Sequence, residues 1–248
     1  MTMPTLGSSR PLRPAVARLV DRQMATWEQA RYRRPATGGD VRPRAADFVC
    51  LSRAVGLEET PVPAGLADRL HWPLLDRQVL DAMAGDDGCR RRIYDSMDER
   101  DLNWWEEALR PLLEQEFARN DYFRCLCETL LSLARQGPAV FVGRGADLLL
   151  PRDQGLRVRL TAPAETRMER YARAHELTAA EARNRIQRLQ VERNRFFRRH
   201  FGVDEDEPRR WDLTLNLDRL DPEAAIDVVL ATRQAVRERL QAAARAPL

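Results

Sequence analysis

Phe48 to Thr60 reads FVCLSRAVGLEET. An apolar run, Phe48 to Leu51, ends in a polar stretch carrying one glycine, which is how a buried strand runs out into a loop. The figure recurs at Leu74 to Leu75, Ala139 to Val142, Leu156 to Thr161 and Leu213 to Leu217, with helical patterns between most of these runs. Strands alternating with helices predict α/β architecture built on a parallel sheet.

The helical pattern is clearest in two places. In Tyr122 to Arg135, Phe123, Leu126, Leu130 and Ala134 share a face; in Ile226 to Leu240, Ile226, Val229, Leu230, Val236 and Leu240 do. Both faces read as core. Thr178 followed by Glu181 fits a capping box, opening a long helix that runs towards His200 and carries seven arginines between Arg183 and Arg199. Residues of about 85–120, including RRRIYDSMDERDLNWWEEAL, are too long for a simple crossover and read as an inserted helical subdomain.

Upstream, Pro11 to Arg34 places Val16, Leu19, Val20, Gln23, Met24 and Trp27 at helical spacing beneath an arginine-rich outer face. RRPATGGDVRPR, Arg33 to Arg44, then breaks the pattern with glycine and proline. The expected organisation is an N-terminal amphipathic helix and linker over 1–45, followed by an α/β domain over 46–248.

Composition narrows the chemistry. The 248 residues carry 41 basic and 38 acidic side chains, a formal net charge of +3, and none of the basic residues is lysine. Schiff-base catalysis and a Walker A lysine are therefore excluded. Near-neutral charge does not favour a nucleic-acid partner, although the arginine helix with Phe196 and Phe197 leaves a nucleic-acid-binding module as a third reading. Cys50, Cys89, Cys125 and Cys127 form no C-x-x-C pair, so neither a zinc site nor a disulfide framework is expected, and no metal is predicted. MTMPTLGSSRPLRP has no apolar core of a signal peptide, and no run approaches the length that spans a bilayer, so the expectation is a cytoplasmic protein with no membrane partner. His71, His175 and His200 are scattered without a carboxylate or nucleophile nearby in sequence.

Ligands of open parallel sheets bind beyond the carboxyl ends of the strands, so SRAVGLEET, LLDRQ, VGRGAD and LNLDRL are the segments to weigh. Taken in order, SRAVG, LLDRQVL, GCRRRIYDSMDER, VFVGRGADLLL, LRVRLTAP, ELTAAEARNRIQRLQVERNRFFRRHFGVD and WDLTLNLDRL resemble the cytidylate kinase-like family of nucleoside monophosphate kinases, over about 16–230. The resemblance implies a P-loop kinase-like parallel sheet flanked by helices, an inserted helical subdomain that binds the nucleoside monophosphate, and an arginine-rich lid helix over about 178–210. It implies phosphoryl transfer from Mg-ATP to CMP or dCMP, with arginines stabilising the transferred group, chemistry that asks mainly for positioning and positive charge. By the same resemblance Arg193 is the lid arginine, Arg144 and Asp147 of VGRGAD bind the acceptor, and Asp76 and Arg77 of LLDRQ lie near the same cleft.

The sequence departs from that family at the phosphate loop. Gly56 stands where the first glycine would, but Leu57, Glu58, Glu59 and then Thr60, Pro61, Val62 and Pro63 follow. Non-glycine residues cost about 1 to 2 kcal/mol each where a loop needs positive φ, and prolines donate no amide hydrogen. Gln190 also replaces an expected aspartate in the lid. The reading that follows is a divergent protein of this family with lost or much reduced kinase activity and no certain cofactor. It would bind a nucleotide such as CMP or dCMP, another anion, a protein partner or a second copy of itself. The alternative is an active kinase using Mg-ATP.

Overall fold

The computed structural model describes residues 47–85, 121–152 and 154–245. The expected N-terminal helix and linker and nearly all of the expected inserted subdomain lie outside these residues, as does Cys89. The described residues fall into two compact units, one containing 47–48, 75–85, 121–139, 149–152 and 154, the other 49–74, 140–148 and 155–245.

The second unit holds the sheet, apart from the end residues Phe48, Leu75 and Ala139. Its strands are β1 (Phe48–Arg53), β2 (Leu74–Leu75), β3 (Ala139–Val142), β4 (Leu156–Thr161) and β5 (Leu213–Asn216), in the spatial order β2-β3-β1-β4-β5. β4 runs parallel to both β1 and β5, with Leu51 opposite Val158 and Val158 opposite Leu213. The five apolar runs of the sequence are these five strands, within two residues at each end. β1 and β3 are buried along almost their whole length, the composition expected of parallel strands covered on both faces.

Around the sheet, α1 (Val62–Leu70) and α7 (Pro222–Arg245) pack on each other, and α5 (Ala164–His175) packs on α6 (Ala179–Phe201). α7 buries Ala225, Ile226 and Val229 in a core shared with Val49, Leu51, Val158, Leu160 and Leu66. Thr178 and Glu181 form the predicted capping box at the start of α6, and Gly202 ends that helix with a left-handed turn. Sequence reading found α6 and α7; it did not single out α1 or α5, whose apolar positions are fewer and shorter in span.

In the first unit, α2 (Arg77–Gly85) packs on α3 (Asp121–Gln136). The predicted face of α3 is buried at Phe123, Leu126, Leu130 and Ala134. Among the described residues no helix is long and apolar enough to cross a membrane, and no group of three or more His, Cys, Asp or Glu could hold a metal ion. The short α4 (Ala146–Leu149) follows β3 and closes the VGRGAD segment.

Candidate functional site

The loop after β1 is a packed turn and not a cradle. Leu57 is buried in the same core as Leu160 and Leu217, which draws the backbone inward. The Leu57 amide donates to the Ala54 carbonyl (3.1 Å) and the Thr60 amide to the Leu57 carbonyl (3.2 Å), so two loop amides are spent on consecutive turns. The Gly56 amide donates to Glu58 Oε2 at 2.9 Å, and Arg53 Nη1 donates to the Glu58 carbonyl at 2.6 Å. A carboxylate of the loop itself thus sits on an amide that a phosphate loop would offer to its ligand.

The strain foreseen for this loop is not paid. Gly56 has φ +97°, and a Cβ there would lie 2.9 Å from the Arg167 carbonyl oxygen, so glycine is required at that point. Leu57, Glu58 and Glu59 are not among the positive-φ residues, which outside glycine are His71, Arg144 and Glu176 among the described residues. The non-glycine side chains take ordinary turns in place of the left-handed backbone of an anion nest.

Above the loop lies a cluster of arginines that sequence reading only half foresaw. Arg193 of α6 donates through Nη1 to the Arg53 carbonyl (2.7 Å) and through Nη2 to Ser52 Oγ (2.9 Å), and its Nε pairs with Glu205 at 2.8 Å. Arg159 of β4 donates to Ser52 Oγ at 2.7 Å and pairs with Glu205 (2.8 Å) and Asp206 (2.9 Å). Gln190 donates to Glu205 Oε2 at 2.7 Å. The departure at position 190 has its reason here: the carboxylate that answers the arginines comes from Glu205, and an amide at 190 donates to it where a second carboxylate would repel. Burial, opposed by the Glu205 charge, pushes the Arg193 guanidinium down to about 10.

Arg159 and Glu205 went unflagged in the sequence, although a signal was present. LRVRL puts two arginines on one side of a central strand, and Arg157 and Arg159 are both buried, which demands partners. Arg157 finds the Asp147 carbonyl at 2.9 Å through Nε, while its own amide donates to Asp212.

Asp147 is paired inside the protein. Its Oδ2 accepts from Arg210 Nε at 2.9 Å and lies 2.8 Å from Arg210 Nη2, with both side chains almost fully buried. Burial raises the Asp147 carboxyl above its ordinary range, and the Arg210 charge draws it back. Arg210 stacks on Phe197 (4.3 Å to the ring centroid) and Trp211 (4.8 Å). Arg144 adopts φ +55° and places its guanidinium 5.8 Å from the Phe196 ring centroid. The structure therefore brings Arg144, Asp147 and Arg193 together with α6 or the segment after it, each in contact with other side chains of the protein. Asp76 and Arg77 belong to the other unit: the Asp76 carboxylate caps α2 by accepting from the Val79 amide (3.0 Å), and Arg77 faces Asp81 at 3.7 Å.

VGRGAD and the end of α6 are also in contact. Gly145 has φ +73°, and a Cβ there would lie 2.3 Å from Phe201 Cζ. Gly145→Ala should cost about 2 to 4 kcal/mol, from left-handed strain together with overpacking. Chemical denaturation checks this, and adding Phe201→Leu should recover the packing part alone.

His200 stacks on Phe196 at 4.8 Å between centroids, and burial, aided by Arg199, lowers its pKa. A histidine more acidic when folded leaves the unfolded chain to take up the proton first as pH falls. Its contribution to stability is therefore complete above the unfolded value of about 6.5 and declines below it. The urea midpoint should fall between pH 7.5 and 5 with a slope that His200→Gln reduces.

Burial raises the thiols of Cys50 and Cys127 well above their ordinary value, which makes them inert as nucleophiles. Beside the loop after β1 is a cavity of about 570 Å³, lined by Gly56 to Pro61, by Arg170, Tyr171 and Arg173 of α5, and by Leu217 to Pro222. It is the right size for a small-molecule ligand.

The sequence profile of the cytidylate kinase-like family matches residues 48–219. A cytidylate kinase of Halorubrum lacusprofundi is 28% identical over 188 residues, which are 75% of this chain and 88% of that protein. Among solved structures, an uncharacterized protein from Eubacterium ventriosum has the same fold, with a TM-score of 0.57 at 17% identity over 76% of this chain and 98% of its own. A shikimate kinase from Bacteroides thetaiotaomicron aligns with a TM-score of 0.39 at 16% identity, over 77% of this chain and 98% of its own.

Proposed function

The chain belongs to the cytidylate kinase-like family, and from that premise we propose that it is a divergent member whose ATP-dependent phosphorylation of CMP or dCMP is lost or much reduced, while binding of a nucleotide or another anion is kept. The observation that carries the reading is the 2.9 Å hydrogen bond from the Gly56 amide to the Glu58 carboxylate. A donor phosphate would have to displace that carboxylate and then lie beside it. Two charges about 4 Å apart repel by on the order of 4 kcal/mol at an effective dielectric of 20, more than a few backbone hydrogen bonds of about 1 kcal/mol each would return.

The lid arginine supports the same reading. Arg193 would have to leave Glu205, Ser52 and the Arg53 carbonyl to reach a transferred phosphoryl group. On the acceptor side the family resemblance assigns Arg144, beside Phe196, to a monophosphate, while the Asp147 carboxylate is held by Arg210. The cavity of Gly56 to Pro61 and Leu217 to Pro222, of about 570 Å³, has room for a nucleoside-sized ligand. If the protein does transfer phosphate, the cofactor is Mg-ATP, held by some other geometry.

A coupled ADP-release assay with Mg-ATP and CMP or dCMP tests this. Turnover is expected to be negligible; robust turnover that disappears in Arg193→Ala would defeat the proposal. In parallel, CMP should raise the melting temperature of the unmodified protein and not of Arg144→Ala, and an equal shift in both would remove Arg144 from the acceptor site.

A further inference from the structure

We propose that Glu205 is an internal counter-anion that fills the Arg159 and Arg193 pair, and that vacating it turns the pair into a site for a phosphate-class anion. The inference rests on the geometry of these two arginines and does not depend on how the loop Gly56 to Thr60 is read.

The carboxylate is held as such an anion would be. Its side chain is fully buried. Oε1 meets Arg159 Nη1 and Arg193 Nε, each at 2.8 Å, and Oε2 accepts from Gln190 Nε2 at 2.7 Å. Two guanidinium groups and an amide on a small set of oxygens is the donor set that recognises phosphate and carboxylate alike. Both arginines also reach Ser52 Oγ, at 2.7 and 2.9 Å, so the pair is fixed at the carboxyl end of β1, where ligands of parallel sheets bind.

Nothing in the packing of the segment around Glu205 requires a buried acid. Its neighbours Asp204 and Asp206 are exposed, and so are Glu207, Pro208 and Arg209. The segment is held by Arg210 Nη1 on the Asp204 and Glu205 carbonyls, both at 3.0 Å, by the exposed pair of Asp204 with Arg198, and by exposed Asp206 on the buried Arg159. Those holds do not use the Glu205 side chain. Its burial is explained by the arginines, because two guanidiniums brought to one place out of water need an anion between them.

The charges around the emptied position set how strong the site would be. Arg53, Arg159 and Arg193 favour an anion; Glu58, which lies close enough to Arg193 to act on its charge, and Asp206 on Arg159 oppose it. Asp206 pairs with Arg159, whereas Glu205 contacts both arginines.

The experiment is a titration of the unmodified protein and of Glu205→Ala with inorganic phosphate, read as melting temperature against chloride at matched ionic strength. Phosphate should stabilise Glu205→Ala with an affinity at least about tenfold above that of the unmodified protein. The gain should vanish in Glu205→Ala with Arg193→Met. Equal responses in the unmodified protein and Glu205→Ala, or a gain that survives Arg193→Met, would overturn the proposal. Should Glu205→Ala fail to fold in chloride, its refolding yield gives the same decision: recovery in phosphate supports the counter-anion, and no recovery overturns it.

Discussion

The Glu58→Gly, Glu59→Gly double variant should bind Mg-ATP at least about a hundredfold more tightly than the unmodified protein, a gain of roughly 2.7 kcal/mol. The Glu58 carboxylate holds the Gly56 amide at 2.9 Å, and its removal both frees that donor and ends a repulsion of on the order of 4 kcal/mol against a phosphate about 4 Å away. Glycine at both positions also restores access to the left-handed backbone that an amide nest needs. The gain stays below the full repulsion because three features remain: Leu57 is still anchored in the core, and Pro61 and Pro63 still donate nothing. Calorimetric titration of both proteins decides it. Unchanged affinity in a double variant that keeps its secondary structure and melting cooperativity would show that the defect lies elsewhere.

How far this loop could be read from sequence depends on which property is asked about. The expectation that Gly56 to Pro63 makes a poor phosphate cradle rests on residue types alone, since carboxylates and prolines act wherever the backbone goes. The shape of the loop did not follow. Charging each non-glycine residue for positive φ assumed that the backbone would stay as in a phosphate loop, whereas Leu57 could bury its side chain only by turning the chain inward. An apolar side chain beside a core is worth roughly 1.5 to 3 kcal/mol, enough to choose the turn.

The sheet was legible for the opposite reason. In β1 and β3 the strand is buried on both faces, so an apolar run is its direct chemical signature, and its bounds were found within two residues. Pairings between charged groups far apart in the chain leave no such trace. Glu205 looks like one acid among four in DEDEP until the fold carries it to Arg159, forty-six residues earlier. Asp147 looked like a ligand group because VGRGAD sits at a strand end, and only the structure shows Arg210, sixty-three residues on, already holding it.

That pair gives the largest stability effect expected in the described residues: Asp147→Ala should lower the unfolding free energy by about 3 to 5 kcal/mol. The magnitude follows from what is left behind. The Arg210 side chain is 4% exposed and stacked on Phe197 and Trp211, and without Asp147 its charge loses a counter-ion that the Asp204 and Glu205 carbonyls do not replace. A buried guanidinium short of its counter-ion costs far more than an exposed ion pair would contribute. For a chain of this size the loss corresponds to a melting temperature lower by about 6 to 20 °C. Asp147→Asn keeps an acceptor oxygen at the same place and should lose less. Asp147→Leu with Arg210→Met removes both charges from an apolar setting and should recover most of the stability, since replacing a buried pair by packed apolar groups is often neutral or better. A binding role for Asp147 makes a different forecast: Asp147→Ala would then leave the melting temperature within about 2 °C, the size of a surface substitution, and abolish the CMP-dependent shift. The melting curves of the three variants, with and without CMP, therefore separate a strut from a ligand.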